Sequence, residues 1–454
     1  MTTFTHLTLL ALACATLAAP LAQAAVSAEE AAKLKTTLTP LGGERAGNKD
    51  GSIPPWEGGL SIDPTYNSAS IPDLFGKDKP LLIITPQNAA QHADKLTDGS
   101  MGLLKKYPSF NIQVFPTRRT ASAPQWVYDN TFRNATRATM NPGAELGPFP
   151  KGAYGGIPFP IPKTGEEALW NHLLRWTSSG FRTSPSLARV TPEGKVIPVS
   201  QVTGESLYPY YDQNSTLEKW EAAGSDVVLR RVNTSGPPLR AGEILIQRNN
   251  IDEAKSRTWV YLTGQRRVRR LPLTCCDVPS PVAGGIANFD EVNVYESSIG
   301  RYDWKLVGKR EMYVPYNTNS YHQATSLDQV MTASTINPDF MRFELHRTWV
   351  VEGTLKQGQR HVVPRVRLYL DEDTWTAVAG DRWDAQGQLW KVGHTLVTAM
   401  PSTGPIVAGY HIYDMIGGGY FASAYLPRDK QIDLKASLPN RIFTPESLSG
   451  EGVR

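Results

Sequence analysis

Along residues 301–317 large apolar side chains alternate with charged ones, so that Tyr302, Trp304 and Leu306 are separated by Asp303 and Lys305. A period of two predicts a strand with one buried face. The run ends near Pro315, a residue that cannot donate to a ladder. The same pattern returns at 342–355, 360–370, 374–383, 389–397, 410–416 and 420–424, and earlier at 110–116, 188–190, 227–232, 242–247, 257–262 and 268–271. Residues 124–132 read as one more strand. Lys356-Gln357-Gly358-Gln359, Asp371-Glu372-Asp373 and Asp384-Ala385-Gln386-Gly387 supply turn chemistry between neighbouring runs. Consecutive strands joined by tight turns predict an antiparallel meander.

Helical patterns are fewer. Ser27-Ala28-Glu29-Glu30 is a capping box opening a short helix over 27–38. Thr85-Pro86 places an N-cap and a first-turn proline before a helix over 85–96, and a second helix over 102–107 stops at Pro108. Thr164-Gly165-Glu166-Glu167 caps an amphipathic helix on which Leu169, Trp170, Leu173, Leu174 and Trp176 make one wide apolar face. Residues 39–79 and 152–162 are punctuated by Gly and Pro and are predicted irregular, the first anchored by Trp56 and Tyr66. The resulting expectation is a mainly β (α+β) fold. It is a single domain over 25–454, with helices and irregular segments in 25–180 and a sheet in 181–430.

Composition narrows the function. The chain has 454 residues, 40% of them hydrophobic and 20% charged, and a formal net charge of +4. That balance is too small for this length to argue for nucleic acid or strong membrane adsorption. Residues 7–21 are apolar and are followed by Ala22-Gln23-Ala24, which predicts an exported chain whose signal peptide, 1–24, is cleaved near Ala24. The cysteines beyond it are the adjacent pair Cys275 and Cys276, without metal-ligand spacing. They are candidates for a vicinal disulfide, for a bond to another chain, or for free thiols.

No Gly-x-Ser-x-Gly elbow, His-Glu-x-x-His motif or Gly-rich phosphate loop is present, so no catalytic residue, metal or cofactor is assigned. Glu344 and His346 share one face of a strand and make a candidate acid/base or metal pair, although a salt-bridged face with Arg342 is the commoner arrangement. Arg266-Arg267-Val268-Arg269-Arg270 suits either an acidic partner or membrane surface, or a strand end in solvent. For an apolar ligand the candidate cavity face carries Trp259, Tyr261, Trp304, Leu306, Trp349, Val351, Val366, Leu368 and Leu370. Such a face gains about 25 cal/mol per Å² of apolar area removed from water. Alternation alone does not separate a lined cavity from a core packed on the 166–176 helix.

Several strings in order resemble the domain-of-unknown-function family 1329. They include Glu44-Arg45-Ala46-Gly47-Asn48, Asp50-Gly51-Ser52-Ile53-Pro54, Pro116-Thr117-Arg118-Arg119-Thr120-Ala121, Gly155-Gly156-Ile157-Pro158-Phe159-Pro160-Ile161-Pro162, and Trp170-Asn171-His172-Leu173-Leu174-Arg175. Tyr302-Asp303-Trp304-Lys305-Leu306-Val307-Gly308-Lys309 carries the strongest likeness. The resemblance implies a fold similar to the periplasmic lipoprotein carriers LolA and LolB, a strongly curved antiparallel sheet forming an incomplete barrel that helices close over a hydrophobic cavity. It implies a periplasmic chain, associated in some cases with the outer membrane, that binds and carries a lipid or other hydrophobic small molecule. The implied partners are an inner-membrane efflux-type transporter and an outer-membrane barrel protein. The alternatives are a non-catalytic adaptor in an envelope complex and, further off, a hydrolase using Glu344 and His346.

Overall fold

Tyr302–Pro315, Phe343–Leu355, Arg365–Asp371, Ala377–Trp383, Leu389–Met400, Gly404–Asp414 and Tyr420–Ala424 pair antiparallel in chain order, as the turn chemistry predicts. In this computed structural model Tyr420–Ala424 then pairs back onto Ser186–Val190. The sheet continues through Val196–Leu207, Asp226–Gly236, Ile244–Asn250, Arg257–Leu262 and Arg267–Leu271. Short strands, among them Leu82–Ile84 and Ile112–Val114, bring the total to 17 among the described residues. A single parallel bridge between Phe343 and Val114 makes the sheet mixed. The structure describes residues 26–451 apart from 67–69, 143–145, 272–275, 281–282 and 426–431. The signal peptide expected over 1–24 and Cys275 therefore lie outside the described residues.

The fold is mainly β with few helices, and the sheet is not closed. Its end strands, Tyr302–Pro315 and Arg267–Leu271, do not pair with each other among the described residues. The half that begins at Tyr302 curls tightly. Met312 and Val314 share one buried cluster with Val350, Tyr369, Ala379 and Val397, which come from strands one to four places away. Beyond Pro315 the chain crosses the mouth of this curl, where the Thr318 amide donates to the Val397 carbonyl at 2.8 Å.

Both faces of the curled half are covered. The outer face packs on the helix Gly165–Leu173, whose N-cap Thr164 accepts from the Glu167 amide as its sequence predicts. The helix Asp98–Lys106 lies over the other face, with Gly99 against Asp381 and Val392.

Three local readings change. Residues 124–132 are not a strand but part of the helix Gln125–Arg137, which buries Val127, Thr131, Asn134 and Ala135 at helical spacing after Pro124. The 85–96 segment is a 3-10 helix over Ala89–Lys95, because the Asn88 carboxamide takes the Thr85 amide at 2.7 Å and turns the chain first. The helix expected over 102–107 starts earlier, at Asp98, where the Thr97 hydroxyl caps it.

Candidate functional site

The candidate cavity face divides in two. Trp304, Leu306, Trp349, Val351, Val366, Leu368 and Leu370 meet in one cluster against Leu169 and Trp170 of the Gly165–Leu173 helix. Trp259 and Tyr261 lie elsewhere, packed with Ile244, Ile246 and Leu448. The larger group is on the outer side of the curl and is filled. The Trp304 indole donates to the Ile299 carbonyl at 2.8 Å, and its ring meets Tyr295 edge-on at 5.3 Å.

Much of the filling comes from residues 283–300, through Val294, Tyr295 and Ile299. Val294 adopts a left-handed φ of 72°, a conformation that β-branched residues rarely take. One of its methyls sits where a side chain at Gly380 would stand: a Cβ there would be 2.5 Å from Val294 Cγ1. His172 staples this layer from the helix side. It accepts the Ala377 amide at Nδ1 (2.9 Å) and faces the Tyr295 carbonyl from Nε2 (2.8 Å), and burial lowers its pKa to about 3. Glu291 enters the same layer with Lys391 Nζ at 2.9 Å and Arg382 Nε at 3.5 Å. Cys276 is buried and disulfide-bonded.

Inside the curl the apolar cluster of Met312, Val314 and Val350 adjoins a buried ionic one. Glu344 and His346 do meet, at 3.2 Å, but both are buried. His346 Nδ1 lies 3.0 Å from Asp371, and Tyr316 stacks on the imidazole at 3.9 Å. Burial alone would push the His346 pKa down, but hydrogen bonds to Asp371 and Glu344 outweigh it and raise it to about 10. An imidazolium held between two carboxylates is no general base at neutral pH. Arg342 completes the pair at 2.6 Å from Glu344. His346, Asp371 and Asp373 are close enough together to hold a metal ion, yet Arg119 binds both Asp373 oxygens, at 2.6 and 2.8 Å. Asp371 also accepts from the Thr374 amide and hydroxyl. The donor set is spent on structure.

Open space lies instead along the helix Gln125–Arg137. One cleft of about 520 Å³ is lined by Leu34, Pro40, Trp56, Tyr128 and Phe132, with Lys35, Arg45 and Arg133 among its charged residues. Lys35 Nζ stands 4.0 Å from the Phe132 ring centre and Arg45 5.0 Å from Trp56. The Trp56 indole is tied to the Ala121 carbonyl at 2.8 Å, which fixes the floor. Across the Asp129 and Arg133 ridge a second cleft of about 490 Å³ is more polar, with Asp212, Gln213 and Glu218 beside Trp126 and Tyr154. Sequence reasoning missed these residues because it took 124–132 as a strand. As a helix, Tyr128 and Phe132 fall four apart on one face.

The family described as "Protein of unknown function (DUF1329)" matches residues 83–449. A protein from Pseudomonas aeruginosa, described as uncharacterized, is 36% identical over 446 residues, covering 95% of each chain. Among solved structures, a DUF1329 family protein from Desulfovibrio piger aligns at 15% identity, over 60% of this chain and 92% of its own, with a TM-score of 0.37. A domain from Vibrio parahaemolyticus, described as an outer membrane lipoprotein-sorting protein, aligns at 11% identity over 63% of this chain and 98% of its own, with a TM-score of 0.43.

Proposed function

The chain belongs to the DUF1329 family, and we propose that it is a non-catalytic protein of the periplasm that binds and carries a hydrophobic, lipid-like molecule together with a membrane transporter. The observation carrying this reading is the open cleft floored by Trp56, Tyr128 and Phe132. Its volume of about 520 Å³ falls within the about 300–1,000 Å³ usual for small-molecule sites. Aromatic and aliphatic side chains offer an apolar molecule a dry floor, and Lys35, Arg45 and Arg133 favour an acidic group at its exposed end. Shielding of the apolar part is the whole mechanism, and no bond is made or broken. The apolar stretch at 7–21 with Ala22-Gln23-Ala24 supports export. Among the described residues no helix is long and apolar enough to cross a membrane.

Native mass spectrometry and lipid extraction of protein purified from its own periplasm test the proposal. A co-purifying amphiphile is expected. The Phe132→Ala and Tyr128→Ala variants, both altered at half-buried positions, should release it with the fold intact by circular dichroism. The packed outer face of the curl favours a second reading, an adaptor that bridges envelope components without cargo. Protein that carries no lipid and gains no thermal stability from added fatty acid decides for the adaptor.

A further inference from the structure

Arg267–Leu271 is an end strand that pairs on one side with Arg257–Leu262 and on the other side with nothing among the described residues. Within it and its turn, Arg266, Arg267, Arg269 and Arg270 are all exposed. Neighbouring ion pairs are complete without them. Arg248 and Arg257 share Asp226, and Arg240 holds Glu243 at 2.9 Å. On the nearby helix Pro445–Glu451, Glu446 takes its hydrogen bonds from its own first turn and Thr444.

The register shows what accompanies the charge. Val260 lies opposite Arg269 on one side and Leu245 on the other, while Leu262 lies opposite Arg267. Cross-strand partners share a face. One face of this corner thus presents half-buried Leu245, Val260 and Leu262 rimmed by Arg267 and Arg269, with Arg266 in the turn at a left-handed φ of 49°. The opposite face is closed, since Trp259, Tyr261 and Val268 pack with Leu448 of the C-terminal helix. Charge on an end strand blocks edge-to-edge pairing. That role calls for no adjacent apolar trio on a single face.

We propose that this corner docks the protein on a membrane surface bearing anionic phosphate headgroups. The guanidinium forks pair with headgroup phosphates, and Leu245, Val260 and Leu262 settle at the headgroup boundary. Charge complementarity selects the occupant, because an arginine run without an ion pair among the described residues, beside a small apolar face, matches phosphate over acyl chain.

Co-sedimentation of the full chain with phosphatidylcholine vesicles, with and without phosphatidylglycerol, is the test, and it needs no cargo in the cleft. Binding is expected only with phosphatidylglycerol, and it should weaken as salt rises. The paired change Arg267→Gln and Arg269→Gln should lower it about thirtyfold. Lys33→Gln with Lys49→Gln, which removes the same charge from exposed positions elsewhere, should leave it unchanged. Equal binding to neutral vesicles, equal loss in the lysine variant, or capture by poly-glutamate without vesicle binding would each overturn the proposal. A failure here leaves the cleft reading standing, and an empty cleft leaves this one standing.

Discussion

His172, His322, His394 and His411 are each at most 1% exposed, and burial lowers the pKa of every one, to about 3 for His172 and His322 and about 4 for His394. His394 Nδ1 and His411 Nε2 approach to 3.0 Å in the sheet, an arrangement that requires at least one neutral ring. An unfolded histidine titrates near pH 6.5, so below that value the unfolded chain binds more protons than the folded one. Stability supplied by the neutral rings is therefore full above about pH 6.5 and is lost as pH falls towards about 4. Each ring contributes a slope of about 1.4 kcal/mol per pH unit within that window. Asp381 and Glu253, both raised to about 7 by burial, act in the opposite direction, as do Glu167 and Glu372, which burial also raises, while Glu44, Asp78 and Glu352, lowered against burial by their cationic partners, act with the histidines. His346, whose hydrogen bonds to Asp371 and Glu344 outweigh burial and raise its pKa to about 10, adds stability that is full below about pH 6.5 and is lost as pH rises from there towards about 10. Urea midpoints measured over a pH series should fall on acidification from about pH 6.5 at constant m-value. A flat or rising profile would show that the neutral imidazoles do not outweigh the buried carboxylates.

At the scale of elements, the contact between segment 283–300 and the sheet makes a sharp prediction. Gly380→Ala puts a methyl into Val294 Cγ1, and overpacking of this kind costs about 1–3 kcal/mol. Val294→Ala in the same chain should recover part of the loss, giving a favourable coupling in a double-mutant cycle. Strictly additive losses would mean that Val294 does not seat on Gly380. The strands themselves were legible from alternation, and the grouping of Val366, Leu368 and Leu370 on one face was correct. Which face lies inside the curl was not legible, because a period of two is blind to the direction in which a sheet bends. Val196–Leu207 escaped notice because Pro198 and Gly204 interrupt its pattern, and a register shift next to Pro198 accommodates the missing donor. The 124–132 segment misled because Trp126, Tyr128 and Phe132 also fit a period of two. The buried stripe of Val127, Thr131 and Asn134 has helical spacing but is mostly polar.

For the whole molecule, the question is what fixes the long irregular N-terminal region to the sheet. Arg119 is the junction. It binds Asp373 through Nε and Nη2, lies 3.6 Å from Glu372, and donates to the carbonyls of Glu44, Arg45 and Pro54. Around it Lys309 bridges Glu372 and Glu44, Arg347 holds Glu372 and the Ala46 carbonyl, and Arg342 joins Asp78 to Glu344. Side chains at Arg119, Glu372 and Asp373 are each 2% exposed, so the pairs are largely desolvated. Removing one partner of such a pair strands the other charge in the interior, at a cost of about 3–5 kcal/mol. Arg119→Ala should therefore unfold at markedly lower urea and become open to protease within 39–79, the Gly-rich stretch that Arg119 pins through its carbonyls. Arg119→Lys keeps the charge but not the two-pronged geometry, and should recover only part of the loss. A loss below about 1 kcal/mol for Arg119→Ala, the range of an exposed pair, would mean that the N-terminal region is held by apolar anchors such as Trp56 rather than by the buried charges.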